Sequence, residues 1–267
     1  MKPKTVISSS SNIQIKNIAA LLKKSKAREE QGIYVVEGLK MFEEARTAGL
    51  LSKAYFSESF YNSKESADPG FFTGLDYELI TDSLFHEISE TMTPQGAMGL
   101  VRTAEYTLES IIEKPGVSLL LLEDIRDPGN LGTIIRTAEG AGITGIILNS
   151  SCVDIYNPKV IRSTMGSIFR VPFCRVKDFY GTIGQLRERG IGVFAAHLSG
   201  EPYDTEGCFV NSCAILIGNE ANGLSADASA LADNLIRIPM EGKVESLNAA
   251  VAAAILMYEV ARQRRNN

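Results

Sequence analysis

The chain has 267 residues, 45% of them hydrophobic and 22% charged, with a formal net charge of −5 at pH 7. That balance is ordinary for a globular protein of one large or two modest domains, and it excludes a globally basic nucleic-acid binder. No apolar run approaches the ~20 residues of a membrane helix, and the N-terminus leads into serines without the apolar core of a signal peptide, so the cytoplasm is the expected compartment.

Ile15, Ile18, Ala19 and Leu22 recur at helical spacing and predict a helix from Ile13 to Ser25. Lys16, Lys23, Lys24, Lys26 and Arg28 crowd this stretch with no acid among residues 14 to 28. Two readings stand for the cluster: a footprint for a phosphate backbone, or a solvated face whose cations suit the helix dipole. Gly32 breaks the helix, Ile33 to Val36 reads as a strand, and a second helix from Leu39 to Ala48 closes on Gly49. A strand from Lys53 to Ser57, a polar loop with Asp68-Pro69-Gly70, and a strand from Tyr77 to Ile80 follow. Thr81-Asp82 caps a helix to Ser89, and Ala97 to Val101 is another strand. This alternation defines a compact α/β unit over residues 1–103. The next stretch is polar and ends in the breaker pair Pro115-Gly116, which places a linker at 104–116 and a second domain at 117–267.

Val117 to Leu122 is an apolar run too short for a helix and reads as a fully buried strand. Asp127-Pro128-Gly129 breaks it, and Asn130 is a good N-cap for a helix with Leu131, Ile134, Ile135, Ala138 and Ala141 on one stripe. Arg136 falls opposite that stripe, away from the core. Gly145 to Leu148 is the next strand, Asn157-Pro158 opens a helix, and Arg170 to Phe173 leads to a helix from Asp178 to Arg189. Strands follow at Ile191 to Ala196, Ser212 to Ile217 and Leu235 to Pro239. Ser246 precedes a last helix, from Leu247 to about Gln263, whose Leu247, Ala250, Val251, Ala254, Ile255, Leu256, Met257 and Val260 make it apolar almost all round. Such a helix must be covered on both sides, by its own domain or by a second subunit.

The chemistry-bearing residues gather at three strand ends: Asn130 with Arg136, Gly218-Asn219-Glu220, and Ser246 with Asn248. Each has a purely structural account. Asn130 and Ser246 are good caps, and Glu220 would suit the dipole early in a helix. Asn248 is harder to explain that way, because Asn is a poor interior helix former. Three such segments at corresponding places point to one site, since ligands of open α/β sheets bind at strand carboxyl ends. No G-x-G-x-x-G, P-loop or G-x-S-x-G is present, and His86 and His197 lie outside these loops. Cys152, Cys174, Cys208 and Cys213 form no C-x-x-C pair, so reduced, packed thiols are expected rather than disulfides or a metal site.

Asp127-Pro128-Gly129-Asn130-Leu131-Gly132 through Arg136-Thr137-Ala138 resembles the first motif of the SpoU (TrmH) RNA 2′-O-ribose methyltransferases of the SPOUT superfamily. Ile217-Gly218-Asn219-Glu220-Ala221-Asn222-Gly223-Leu224 is similar to the second motif. Ile238-Pro239-Met240 through Val244-Glu245-Ser246-Leu247-Asn248-Ala249-Ala250 is similar to the third. The resemblance implies a parallel sheet whose C-terminal part is threaded into a trefoil knot, a topology that general rules call essentially absent outside rare exceptions. It also implies a homodimer that binds S-adenosylmethionine near the subunit interface. By position, Gly218, Ile238 and Leu247 would hold the cofactor through main-chain groups, with Ile217 and Met240 beside them. Arg136 would act on the ribose hydroxyl, as base or as stabilising cation, with Ser246 assisting and Asn130, Glu220 and Asn248 orienting. Residues 1–103 resemble the L30e-like substrate-binding domain of rRNA-directed members, through Ile33-Tyr34-Val35-Val36-Glu37-Gly38 and the element order. That assigns Lys16, Lys23, Lys24, Lys26 and Arg28 to RNA. The implied reaction is methylation of a ribose 2′-hydroxyl, in 23S rRNA rather than tRNA because tRNA-directed members generally lack the extra domain. The alternatives are a tRNA methyltransferase and a non-catalytic RNA-binding protein of the same fold.

Overall fold

The computed structural model describes residues 5–265. The chain divides into two compact units, one running to Ala104 and including Tyr156–Phe169, the other comprising Glu105–Ile155 and the chain from Arg170 onward.

The first unit is built from β1 (Val6–Ile7), α1 (Ile13–Lys23), α2 (Ser25–Gln31), β2 (Ile33–Glu37), α3 (Leu39–Thr47), β3 (Leu51–Ser57), α4 (Glu58–Ala67), β4 (Tyr77–Ile80), α5 (Asp82–Ile88) and β5 (Ala97–Arg102). Its strands form a five-stranded mixed sheet in the order β1-β4-β3-β5-β2. β5 runs antiparallel to both β2 and β3. Helix α4 lies where the sequence predicts only a polar loop, and it buries none of its residues. A helix with no apolar stripe leaves no periodic signal to find.

The cluster at residues 16–28 separates into two kinds of cation. Lys16, Lys23, Lys24 and Lys26 are exposed, and Lys26 faces Glu30 at 3.7 Å. Arg28 is not available to RNA as the sequence reading proposes, because it is 4% exposed and its guanidinium donates to the carbonyls of Leu21 and Leu22. The reason is local: α1 stops at Lys23, leaving its last carbonyls without helical donors, and a planar fork of N–H groups satisfies them.

The second unit is built from α6 (Leu108–Ile112), β6 (Ser118–Leu122), α7 (Pro128–Ala141), β7 (Gly145–Leu148), β8 (Phe173–Arg175), α9 (Phe179–Glu188), β9 (Gly192–Pro202), β10 (Cys213–Ile217), α10 (Ala226–Ala230), β11 (Asn234–Arg237) and α11 (Ala249–Arg265). The expected linker carries α6, which opens on a Thr107–Ser110 capping box and buries Ile111 and Ile112 in this unit's core. Helix α8 (Pro158–Thr164), opened by Asn157-Pro158, groups with the first unit, where Tyr156 stacks on Tyr34 at 4.6 Å between ring centroids.

The second sheet has six strands in the order β11-β9-β10-β6-β7-β8. Every pairing in it is parallel. β6 lies centrally and Leu119, Leu120, Leu121 and Leu122 are all buried, as expected of a strand covered on both faces. β11 pairs with β9 at Leu235–Ala195 and then at Ile236–Glu201, so residues 196–200 of β9 leave the ladder between those points. At Gly200 a Cβ would stand 2.5 Å from the main chain of Leu235 and Ile236, so only glycine permits this crossing. Cys152, Cys174 and Cys213 are buried free thiols, and burial pushes Cys174 and Cys213 up to about 11. No helix among the described residues is long and apolar enough to cross a membrane.

Replacing Arg28 with alanine leaves two buried carbonyls without their donor, at an expected cost of about 2 kcal/mol. Equilibrium urea unfolding should show that loss in Arg28→Ala, while Lys24→Ala on the exposed surface stays within about 0.5 kcal/mol of the parent.

Candidate functional site

The carboxyl edge of the second sheet carries the loops after β6, β10 and β11 and the excursion within β9. The loop after β6 turns into α7 differently from the sequence expectation. Asp127, not Asn130, is the N-cap: its Oδ1 accepts the N–H of Asn130 at 2.8 Å, with Pro128 in the first turn. Pro128 carries no N–H and suits the first helical position, which sets the start earlier than the Asn130 side chain suggests.

Freed from capping, Asn130 joins the three segments. Its Nδ2 donates to Glu220 Oε1 at 3.0 Å, and its Oδ1 accepts from Asn248 Nδ2 at 2.9 Å. Glu220 also accepts the main-chain N–H groups of Asp127 at 3.1 Å and Arg126 at 3.3 Å. Glu220 lies in a turn rather than in a helix. Partial burial raises the Glu220 carboxyl, but the donors from Asn130 and the main chain outweigh it and hold the group below its ordinary value of 4.5. The carboxylate is therefore ionised at neutral pH, an acceptor that organises donors rather than a proton carrier.

Asn248 performs the second capping role that the sequence assigns to Ser246. Its Oδ1 accepts the N–H of Ala250 at 2.9 Å and of Val251 at 3.3 Å, so α11 begins at Ala249. One side chain thus caps a helix with its oxygen and bridges to Asn130 with its nitrogen. Ser246 instead lines a cavity of about 300 Å³.

That cavity is walled by residues 196–198 of the β9 excursion, 217–223 at the end of β10, 236–238 and Met240 around the end of β11, and 245–247 with Ala249 at the entry to α11. Ile217, Gly218, Ile238, Met240 and Leu247, the residues singled out for a cofactor, all line it. Gly218 has no room for a side chain, because a Cβ would stand 2.3 Å from the main chain of Gly223 and Leu224. The fold-back is a tight turn in which Asn219 and Gly223 exchange main-chain hydrogen bonds at 3.0 and 2.9 Å, with Gly223 at φ 68°. The Asn219 side chain pins this turn, accepting the N–H of Ala221 and of Asn222 and donating to the carbonyl of Asp124 at 2.9 Å. Asp124 sits at φ 57°, a left-handed conformation that Asp tolerates better than most residues. Asn219 and Asp124 escaped the sequence reading as anchors. The tolerance of Asn and Asp for unusual backbone and local hydrogen bonds is the one signal that could have marked them.

Arg136 stands apart from this network. It is exposed on α7, and no hydrogen bond or ion pair of its side chain is found among the described residues. Six residues beyond Asn130, it lies about 9 Å further along the helix axis and about a third of a turn around. Along the same side Thr133 and Gly140 are exposed, and on α11, which packs against α7, Val251 and Tyr258 are about half exposed. The last helix is thus covered along Ala250, Ala253, Leu256, Met257 and Val260, while these two apolar side chains remain open.

Residues 118–258 match the model of the SpoU rRNA Methylase family, and residues 12–99 match that of the MRM3-like substrate binding domain. The chain is 32% identical over 255 residues to the 23S rRNA (guanosine(2553)-2′-O)-methyltransferase RlmP of Bacillus subtilis, covering 95% of this chain and 98% of that one. Among solved structures, the AdoMet-bound rRNA methyltransferase from Sinorhizobium meliloti superposes with a TM-score of 0.84 at 31% identity, covering 97% of each chain. The SpoU methyltransferase AviRb of Streptomyces viridochromogenes, in complex with AdoMet, superposes with a TM-score of 0.84 at 27% identity, over 96% of this chain and all of that one.

Two outcomes follow from the geometry. A Glu220 carboxyl lowered in the folded state contributes stability above its unfolded value, near 4.5, and loses it as pH falls through the native value. Asn130→Ala removes a donor, so the native value rises and this share of stability shrinks and disappears at higher pH; urea midpoints measured across the acid limb read the change. Gly218→Ala forces the 218–223 turn off its position, and a crystal structure of the variant should show the cavity narrowed or the turn displaced.

Proposed function

The chain belongs to the SpoU rRNA methylase family, and from that membership we propose an S-adenosylmethionine-dependent transfer of a methyl group to a ribose 2′-hydroxyl, with 23S rRNA as the substrate. The observation that carries the reading is the meeting of all three motif segments in one hydrogen-bonded set, Asn248–Asn130–Glu220, beside one cavity. The cavity fits the cofactor: the apolar side chains of Ile217, Ile238, Met240 and Leu247 offer a surface for its apolar parts, and Glu220 and Ser246 stand on the same wall as polar groups, while the bare Cα of Gly218 lets the 218–223 turn fold tightly beside them. Bound there, S-adenosylmethionine supplies an electrophilic methyl group on a sulfonium sulfur. The protein's own contribution is chiefly to align the acceptor oxygen, since an in-line displacement of this kind gains most from orientation.

Asn130 is held by the ionised Glu220, which lines the cavity, and Asn248 joins the set through Asn130. Arg136 supplies a cation. A guanidinium keeps its proton throughout the ordinary pH range, so its role is to stabilise the developing alkoxide and to grip a neighbouring phosphate, while the hydroxyl proton leaves to solvent water. Ser246, on the cavity wall, assists at the ribose. Because Arg136 is exposed and outside its own chain's network, the working unit is a homodimer formed over the α7–α11 side, with Arg136 of the partner subunit completing the site. The half-exposed Val251 and Tyr258 support this side as the interface. The close backbone crossing at Gly200 supports the trefoil threading of the C-terminal segment. Lys16, Lys23, Lys24 and Lys26, on the unit that matches a substrate-binding model, hold the RNA backbone in the cytoplasm. A second reading, a non-catalytic RNA-binding protein, has no observation in its favour, since the full Asn130, Arg136, Glu220, Ser246 and Asn248 set is present.

Arg136→Ala should abolish methylation of 23S rRNA transcripts while calorimetric affinity for S-adenosylmethionine stays within about twofold, a difference well below the ~1.4 kcal/mol of a tenfold change. Co-expression of Arg136→Ala with Glu220→Ala chains should recover part of the activity if the arginine serves the partner's site, and none if it serves its own. Changing Lys16, Lys23, Lys24 and Lys26 together to alanine should weaken RNA binding and reduce the slope of log K against log salt by up to about 3–4 units; an unchanged slope would place the RNA elsewhere.

A further inference from the structure

The connection between β6 and α7 holds a second carboxylate, one the chemistry above does not use. Glu123 is 5% exposed at the carboxyl end of β6, and its N–H donates to the carbonyl of Ile217 at 2.9 Å. Its carboxylate takes three donors. Ser225 gives its N–H to Oε2 at 2.8 Å and its hydroxyl to Oε1 at 2.7 Å, and the Tyr180 hydroxyl, from the first turn of α9, reaches Oε1 at 3.0 Å. A carboxylate this deeply placed survives only with such charge-assisted donors. Ser225 is also the N-cap of α10, accepting the N–H of Ala228 at 3.1 Å.

The next residue holds the other end of the same segment. The Asp124 carbonyl, turned by its left-handed φ, accepts the side chain of Asn219. Residues 219 and 225 are thus tied to adjacent positions of one connection, and the stretch between them includes the turn that walls the cavity. A tie at Asn219 alone would leave the downstream end free to drift. Glu123 removes that freedom, and it does so from beneath, without lining the cavity itself.

We infer that Glu123, together with Tyr180, is a positioning residue of the cofactor cavity: it fixes the downstream end of the 219–225 segment so that the main chain of the turn stands where the cofactor needs it. The carboxylate matters for its acceptors. Three groups donate to it, and an amide in its place turns an N–H₂ toward donors, losing at least one of the bonds. The inference rests on the reading of the cavity as the S-adenosylmethionine site.

The test uses full-length Glu123→Gln, Glu123→Ala and Tyr180→Phe, with S-adenosylmethionine binding by calorimetry, steady-state kinetics on 23S rRNA transcripts, and thermal unfolding. The expected result is a cofactor Kd and KM raised about tenfold in Glu123→Gln and about threefold in Tyr180→Phe, which is the scale of one to two hydrogen bonds. The kcat at saturating cofactor and the KM for RNA stay within about twofold. Variants that bind the cofactor like the parent overturn the inference, whether or not they melt earlier, because a merely structural tie lowers the melting temperature alone. If Glu123→Ala does not fold, Tyr180→Phe at the surface of α9 decides the matter by the same readouts. A parent protein that fails to bind S-adenosylmethionine overturns both readings; a binding parent with unaffected variants overturns only this one.

Discussion

The site depends on an ionised carboxylate, Glu220, and on the company it keeps. It gathers the main-chain N–H groups of Arg126 and Asp127 and the amide of Asn130, and through Asn130 it reaches Asn248. Three stretches far apart in the chain are thereby held in one geometry by short polar contacts at the edge of a rigid parallel sheet. The main-chain donors of Arg126 and Asp127 stand just ahead of α7, and with the Asn130 amide they keep the acceptor charged. Had Asn130 served as the cap, its Oδ1 would turn to the N–H groups of α7 and away from Asn248, leaving only its Nδ2 for Glu220. Capping by Asp127 is therefore a condition of the network as well as a detail of the helix end.

Much of the second unit is legible in its residues because parallel strands buried on both faces announce themselves. Val117 to Leu122, Gly145 to Leu148 and Ser212 to Ile217 each read as short apolar runs, and each is a strand within a residue or so of the expected bounds. What the sequence hides is of two kinds. Elements with little or no buried side, such as α4, or of two residues, such as β1, carry no period to detect. Helix starts shift by two or three positions because proline, asparagine and serine are interchangeable signals at that resolution, and only the hydrogen bonds choose among them. The β9 excursion and the crossing at Gly200 belong to the topology of two chain segments, which no local pattern encodes.

The residues of the site were legible in a different manner. Asn130, Glu220 and Asn248 stand out as polar groups at strand ends, and the structure joins them. The five cavity residues, in contrast, are unremarkable glycine and aliphatic positions that only likeness to a family singles out. Arg28 shows the opposite error: counted with four lysines on charge alone, it is the one cation of the group whose planar fork is committed to the protein's own carbonyls. Charge density in a sequence does not distinguish a cation that meets solvent from one that finishes a helix, whereas side-chain geometry does.

A cavity closed by a turn folded onto a bare glycine has a consequence for substitution. Side chains at Ile217, Ile238, Met240 and Leu247 can be exchanged among apolar types of similar bulk at small cost, because such swaps keep volume and chemistry. Gly218 admits no such exchange, since any larger residue collides with the chain folded over it, so the tolerance of the cavity is set by its turn and not by its apolar wall.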